Sequence, residues 1–159
     1  HKLRKELNEI LKRQELVRSS RKKRGFKSVA VVGYTNVGKS TLVKALTRKD
    51  VFVKDMPFAT LDVRTGSLWL DGEEVLLSDT VGFIRDLPHE LVASFRATLS
   101  EVKEAELLLI VFDVSSPKVE EELSSVKEVL EKLKSWNKPK IFVANKVDKL
   151  VKEEEERKE

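Results

Sequence analysis

Cysteine is absent from this 159-residue chain, and histidine occurs only twice. Without cysteine there is no disulfide framework, no thiol nucleophile and no sign of an oxidising compartment. With so few histidines there is no clustered His/Cys metal site, and no Ser-His-Asp set is present. No apolar run approaches the ~20 residues that a membrane-spanning helix needs, and no signal-peptide pattern opens the chain, so a cytoplasmic protein is expected. Aromatic residues make up 6%, with four prolines and six glycines, and no internal repeat is visible. What abounds is charge. Asp, Glu, Lys and Arg form 36% of the chain beside a 40% hydrophobic share, which suffices for the core of a single domain of this length. Richness in Lys and Glu with one methionine also suits a heat-adapted source.

The charge is unevenly placed. Residues 1–27 hold eleven Lys or Arg and three Glu, whereas residues 28–159 hold twenty Lys or Arg and twenty-four acidic residues. Within the basic arm, Leu3, Leu7, Ile10 and Val17 trace a helical stripe, with Gln14 at the skipped position. Such a stripe can pack against protein outside this chain, form a free coiled coil, or contact RNA. Arg18, Arg21, Lys22, Lys23, Arg24 and Lys27 follow around Gly25. They form either a solvated linker or a segment that docks on RNA phosphates with salt-sensitive affinity. No aromatic residue falls between Arg18 and Arg24, which argues against single-strand base stacking.

The most informative stretch is Gly33-Tyr34-Thr35-Asn36-Val37-Gly38-Lys39-Ser40. It fills the G-x-x-x-x-G-K-[ST] pattern directly after the β-branched run Val29-Ala30-Val31-Val32. A phosphate-binding loop needs this context: a buried strand, a turn whose N–H groups close around phosphate, and a helix N-terminus that favours negative charge. Lys39 supplies the cation and Ser40 a hydroxyl for Mg²⁺. Two later tetrapeptides narrow the nucleotide. Asp79-Thr80-Val81-Gly82 has the D-x-x-G form, a magnesium-side carboxylate plus a glycine N–H able to sense a terminal phosphate. Asn145-Lys146-Val147-Asp148 has the N-K-x-D form, whose carboxylate can accept hydrogen bonds from the N1–H and exocyclic amine of guanine. Each alone is weak, but three in this order at the carboxyl ends of predicted strands point to GTP or GDP.

The rest alternates strand and helix. Strands are predicted over Phe26 to Val32, Arg64 to Leu70, Glu74 to Ser78, Glu106 to Asp113 and Lys140 to Ala144. Helices are predicted over Lys39 to Leu46, His89 to Lys103 and Val119 to Ser135, the last with Val119, Leu123, Val126, Val129, Leu130 and Leu133 on one face. Asp71-Gly72 marks a two-residue hairpin turn between the second and third strands. The pattern predicts an α/β fold of the P-loop NTPase kind, a mostly parallel sheet with helices on both faces and one antiparallel hairpin strand, preceded by an N-terminal α-helix. Trp136 is read as a core plug rather than a ligand platform.

From Lys27 to Asp148 the chain resembles the HflX-type GTPases, ribosome-associated members of the translation-factor-related class. The resemblance rests on Gly33 to Thr41, on Phe58-Ala59-Thr60-Leu61-Asp62, and on Asp79-Thr80-Val81-Gly82-Phe83-Ile84-Arg85-Asp86-Leu87-Pro88-His89. The last stretch discriminates most, because related GTPases share D-x-x-G but not its continuation. The resemblance implies a G domain that hydrolyses GTP to GDP and phosphate as a switch on the large ribosomal subunit, with a monomer expected. It implies that Lys39, Thr60 and Gly82 carry catalysis. It further implies that Ser40 and Thr60 bind Mg²⁺ directly and Asp79 through water. The implied nucleotide site comprises Gly33, Tyr34, Thr35, Asn36, Val37, Gly38, Lys39, Ser40 and Thr41; Phe58, Ala59, Thr60, Leu61 and Asp62; Asp79, Thr80, Val81 and Gly82; and Asn145, Lys146, Val147 and Asp148. Residues 51–62, broken by Pro57, are the expected first switch and Gly82 to Pro88 the second. Residues 1–24 are then a helical basic linker at the end of a missing N-terminal domain. Residues 25–159 are the GTP-binding domain, ending before the last base-contacting loop, strand and helix of relatives, which should weaken nucleotide binding.

One position departs from efficient catalysis. Ras-like GTPases carry a water-orienting glutamine after D-x-x-G, and this chain has Phe83. Slow intrinsic hydrolysis is expected, with the missing group supplied from elsewhere in the chain or by a partner. Arg85 and His89 are near enough in sequence, although helix capping or salt bridging suits them as well. Two outputs stay open: a ribosome-associated GTP-hydrolysing switch, or a nucleotide-gated ribosome or RNA docking module with negligible intrinsic hydrolysis. An ATP-using P-loop enzyme such as a small-molecule kinase would require Asp148 to fail at selecting guanine.

Overall fold

The computed structural model describes residues 9, 12, 16, 27–47, 64–80, 82, 83 and 99–150. Its strands are β1 (Lys27–Gly33), β2 (Arg64–Leu70), β3 (Glu73–Asp79), β4 (Leu107–Asp113) and β5 (Lys140–Asn145), and its helices α1 (Lys39–Thr47) and α2 (Val119–Lys132). Residues 99–104 are also helical and form the described part of the helix predicted from His89. Of the predicted N-terminal helix, Glu9, Lys12 and Leu16 are described, and all three are helical. The rest of that arm lies outside the described residues, apart from Lys27, whose ammonium pairs with Glu73.

The five strands form one sheet in the order β2-β3-β1-β4-β5. Strand β1 runs parallel to β3 on one side (Val29 opposite Leu77) and to β4 on the other (Val31 opposite Leu109). Strand β5 continues the parallel set beside β4. Strand β2 pairs antiparallel with β3 through the predicted hairpin. Asp71 and Gly72 both take positive φ, 50° and 83°, as a type I′ turn requires. Because β1 connects to neighbours on both sides, its carboxyl end is a topological switch point, where open α/β sheets bind ligands.

Strand β1 is apolar and buried from Val29 to Val32 because both its faces are covered there. Ala30 and Val32 join Leu108, Ile110, Val126 and Leu130 in the cluster beneath α2. Val29 and Val31 join Val43, Val75 and Leu77 in the cluster beneath α1. Helix α2 carries Glu120, Glu121 and Glu122 in its first turn, where the positive end of the helix dipole favours them. It ends three residues before the predicted Ser135. Lys134 takes φ 55°, its N–H reaches the Glu131 carbonyl at 2.9 Å, and Ser135 N–H reaches Leu130 at 2.8 Å. That is a Schellman termination with lysine where glycine is usual. Trp136 sits half-buried against the α2 cluster, with the Lys140 and Lys127 ammonium groups 4.6 and 5.5 Å from its ring centre. It plugs the rim of the core rather than its centre. No described helix is long and apolar enough to cross a membrane.

Candidate functional site

The loop from Gly33 to Gly38 leaves β1 at the switch point and runs into α1. Its conformation needs particular residues. A Cβ on Gly33 would stand 2.4 Å from the Val111 carbonyl oxygen on β4, so only glycine lets the loop leave the sheet there. Asn36 and Gly38 take positive φ, 60° and 95°, turning the loop on itself. The Gly38 carbonyl accepts the Leu42 N–H at 3.0 Å to open the helix. The first turn of α1 thus lies at the positive end of the helix dipole, a setting suited to an anion.

Lys39 is buried, 7% exposed, and its ammonium donates to the Tyr34 carbonyl at 3.0 Å. Burial pushes the ammonium down to about 8, and the attraction of Asp79 opposes this only in part. A desolvated cation wrapped by its own loop is matched to a phosphate chain that would restore the lost solvation. Ser40 donates its hydroxyl to Asp79 Oδ2 at 2.6 Å, and Asp79 ends β3 fully buried. A hydroxyl and a carboxylate in contact beside a phosphate loop are hard oxygen donors of the kind Mg²⁺ takes, in small number, with phosphate and water completing its shell. Thr80 turns inward, its hydroxyl donating to the Val31 carbonyl at 2.7 Å.

The D-x-x-G glycine lies against the phosphate loop. A Cβ on Gly82 would come 2.8 Å from Thr35 Cα and 3.2 Å from Lys39 Nζ. Next to it Phe83 N–H donates to the Gly33 carbonyl at 2.9 Å, and Thr35 N–H donates to the Phe83 carbonyl at 3.1 Å. This bridge directs the Phe83 side chain away from the loop into the α2 cluster, where it is fully buried.

The loop after β5 closes the other side. Asn145 Nδ2 donates to the Val37 carbonyl at 2.8 Å, and Lys146 donates to the Asn36 carbonyl at 2.8 Å. Lys146 also pairs with Asp113 Oδ2 at 2.8 Å. Burial alone would raise the Asp113 carboxyl, but the Lys146 ammonium and the Ser115 donors outweigh it and hold the group below the usual carboxylate range. Val147 and Asp148 begin a helical turn over residues 147–150 with both side chains exposed, and Thr41 is exposed on α1.

Of the residues picked out in the sequence, the phosphate loop, Asp79, Thr80, Gly82, Asn145 and Lys146 thus meet around one point. Phe58, Ala59, Thr60, Leu61, Asp62 and Val81 lie outside the described residues, as do Arg85 and His89. Asp113 and Ser115 brace the site without having been singled out, because an isolated Asp at a strand end carries no recognisable spacing. An apolar hollow lined by Leu123, Val126, Trp136 and Phe142 opens on the α2 side, remote from this chemistry.

A family profile described as "50S ribosome-binding GTPase" matches residues 28–146. GTPase HflX of Caldanaerobacter subterraneus subsp. tengcongensis is 52% identical over 145 residues, which cover 91% of this chain and 34% of that protein. The chain spans about a third of the length of the curated relatives it matches. Among solved structures, a GTP-binding protein from the archaeon Sulfolobus solfataricus in complex with GDP superposes with a TM-score of 0.63 at 31% identity. That match covers 85% of this chain and 40% of the archaeal one. Era in complex with MgGDPNP and part of 16S ribosomal RNA gives a TM-score of 0.63 at 29% identity, covering 78% and 41%.

Proposed function

The chain belongs to the HflX GTPases, of the 50S ribosome-binding GTPase family, and on that premise we propose that it binds GTP with Mg²⁺, hydrolyses it to GDP and phosphate, and acts as a nucleotide switch on the large ribosomal subunit in the cytoplasm. The observation that carries this reading is the junction of the two loops. Asn145 and Lys146 are hydrogen-bonded to the carbonyls of Val37 and Asn36, which joins the two loops; in this reading one cradles phosphate and the other, two residues on, offers the Asp148 carboxylate to a guanine edge.

The residues then divide the work. Lys39 neutralises charge on the β- and γ-phosphates, and the N–H groups of Gly33 to Thr41 surround them. Ser40 and Thr60 would hold Mg²⁺ directly and Asp79 through water; the ion supplies further neutralisation of the transferred phosphoryl group. Gly82 N–H senses the terminal phosphate, whose departure releases the segments around Thr60 and after Gly82. Era, a structural neighbour, was solved with MgGDPNP and ribosomal RNA, which supports both the ion and an RNA partner. The basic arm from Arg18 to Lys27 suits the latter.

Full burial of Phe83 favours a slow intrinsic rate, since no group at that position can orient water, and gives substance to a second reading in which docking is the output and hydrolysis negligible. Phosphate release from GTP, measured with and without large ribosomal subunits, separates them. Strong stimulation supports the switch. GTP-dependent subunit binding without a rate gain supports the docking module. The absence of both binding and stimulation would refute the ribosomal assignment.

A further inference from the structure

Lys146 occupies the left-handed region at φ 61°, and so does Asn36, which it contacts, at φ 60°. Neither is glycine, and this conformation is unfavourable for a residue with a Cβ. It persists at Lys146 because the ammonium is held from two sides, by the Asn36 carbonyl and by Asp113 Oδ2, each at 2.8 Å. The carboxylate is itself aimed. Its Oδ1 accepts the Ser115 N–H at 2.9 Å and the Ser115 hydroxyl at 2.6 Å, leaving Oδ2 for lysine. The Lys146 and Asp113 side chains are 21% and 13% exposed, so water screens the pair little. Val114 N–H donates to the Asn145 carbonyl at 3.1 Å, tying the same two loops by backbone. The carboxyl end of β4 therefore braces the loop after β5, and that loop braces the phosphate cradle.

Resting on the nucleotide-binding reading above, we infer that Asp113 is a positioning residue for the guanine nucleotide. It holds Lys146 against the phosphate loop and thereby sets how slowly the nucleotide leaves, without touching it. Asp148 rides on the same short loop, so a loosened Lys146 loosens the base side as well. Lys39 and Ser40 bond to the Tyr34 carbonyl and to Asp79 and make none of the contacts of this brace, so hydrolysis should change far less than nucleotide release.

Dissociation of a fluorescent GDP analogue from the full 159-residue chain, chased with excess unlabelled GDP, reads this directly. Hydrogen bonds to charged groups are worth a factor of roughly ten or more. Asp113→Asn should speed release about tenfold and Ser115→Ala by less, while single-turnover cleavage of pre-bound GTP stays within about twofold. The acceleration should vanish in a Lys146→Met background, where Asp113 has no ammonium to hold. A purely structural residue would instead accelerate release in both backgrounds, and that result overturns the inference. Unchanged release in Asp113→Asn also overturns it; should that variant not fold, Ser115→Ala is judged by the same two results. A parent chain that retains no guanine nucleotide refutes the underlying reading and this inference with it, whereas retention by the parent with unaltered release in the variants refutes this inference alone.

Discussion

Replacing Gly38 with alanine perturbs the site in a way the geometry lets one apportion. Two costs arise. The backbone sits at φ 95°, which disfavours any L side chain by about 1 kcal/mol. In addition, the new Cβ would stand 2.3 Å from Asn145 Nδ2, well inside contact distance. Asn145 must move, and its hydrogen bond to the Val37 carbonyl is lost, at about 1 kcal/mol. Gly72→Ala provides the reference, since Gly72 has φ 83° but a Cβ there would meet nothing within 4 Å, so it reports backbone strain alone. The entropy that alanine removes from the unfolded chain is common to both and cancels in the difference. Chemical denaturation should therefore show Gly38→Ala less stable than Gly72→Ala by about 1–2 kcal/mol. Displacement of Asn145 should also weaken GDP binding by about tenfold or more in the first variant and leave it unchanged in the second. A stability difference below about 0.5 kcal/mol, with equal GDP affinity, would refute the claim that Asn145 is locked onto the phosphate loop.

Other predictions follow the same reasoning. Lys39 ionises in the folded chain at about 8 and near 10.5 when unfolded. The folded state therefore carries the penalty of a buried cation below about pH 8, and its stability rises as pH climbs from there toward 10.5. GDP phosphates favour the charged form, so binding at about pH 8 should take up about half a proton, read by calorimetry in buffers of different ionisation enthalpy, and little at about pH 7; equal uptake at both would contradict it. Phe83→Ala should destabilise by about 3–5 kcal/mol as a core truncation, while Phe83→Leu should leave single-turnover hydrolysis within about twofold. A large rate loss in a folded Phe83→Leu chain would place that side chain in the chemistry. Lys134→Gly should raise stability by about 1 kcal/mol, because the Schellman turn no longer forces a side chain into the left-handed region, and thermal unfolding would register the gain.

Much of the fold was legible because local signals agreed with one another. The β-branched run before Gly33, the Asp71-Gly72 turn and the spacing of Val126 and Leu130 each predict an element found in place. The phosphate loop could be located because its glycines answer fixed needs, at Gly33 a β4 carbonyl and at Gly38 a positive φ. The end of α2 was not legible, since Lys134 adopts the position that glycine normally announces. Phe83 illustrates the limit at the site. Its chemistry rules out glutamine's role from sequence alone, but only the bridge to Tyr34 reveals that the ring is part of the core. Asp113 was invisible for a different reason: its partner Lys146 lies thirty-three residues away, and the contact exists only because β4 and β5 are neighbours.

If the two loops make a site for guanine nucleotide, titration of fluorescent GDP into the chain with Mg²⁺, followed by competition with unlabelled GTP and ATP, should show saturable binding displaced by GTP and not by ATP. Displacement by ATP, or no binding at all, would contradict it.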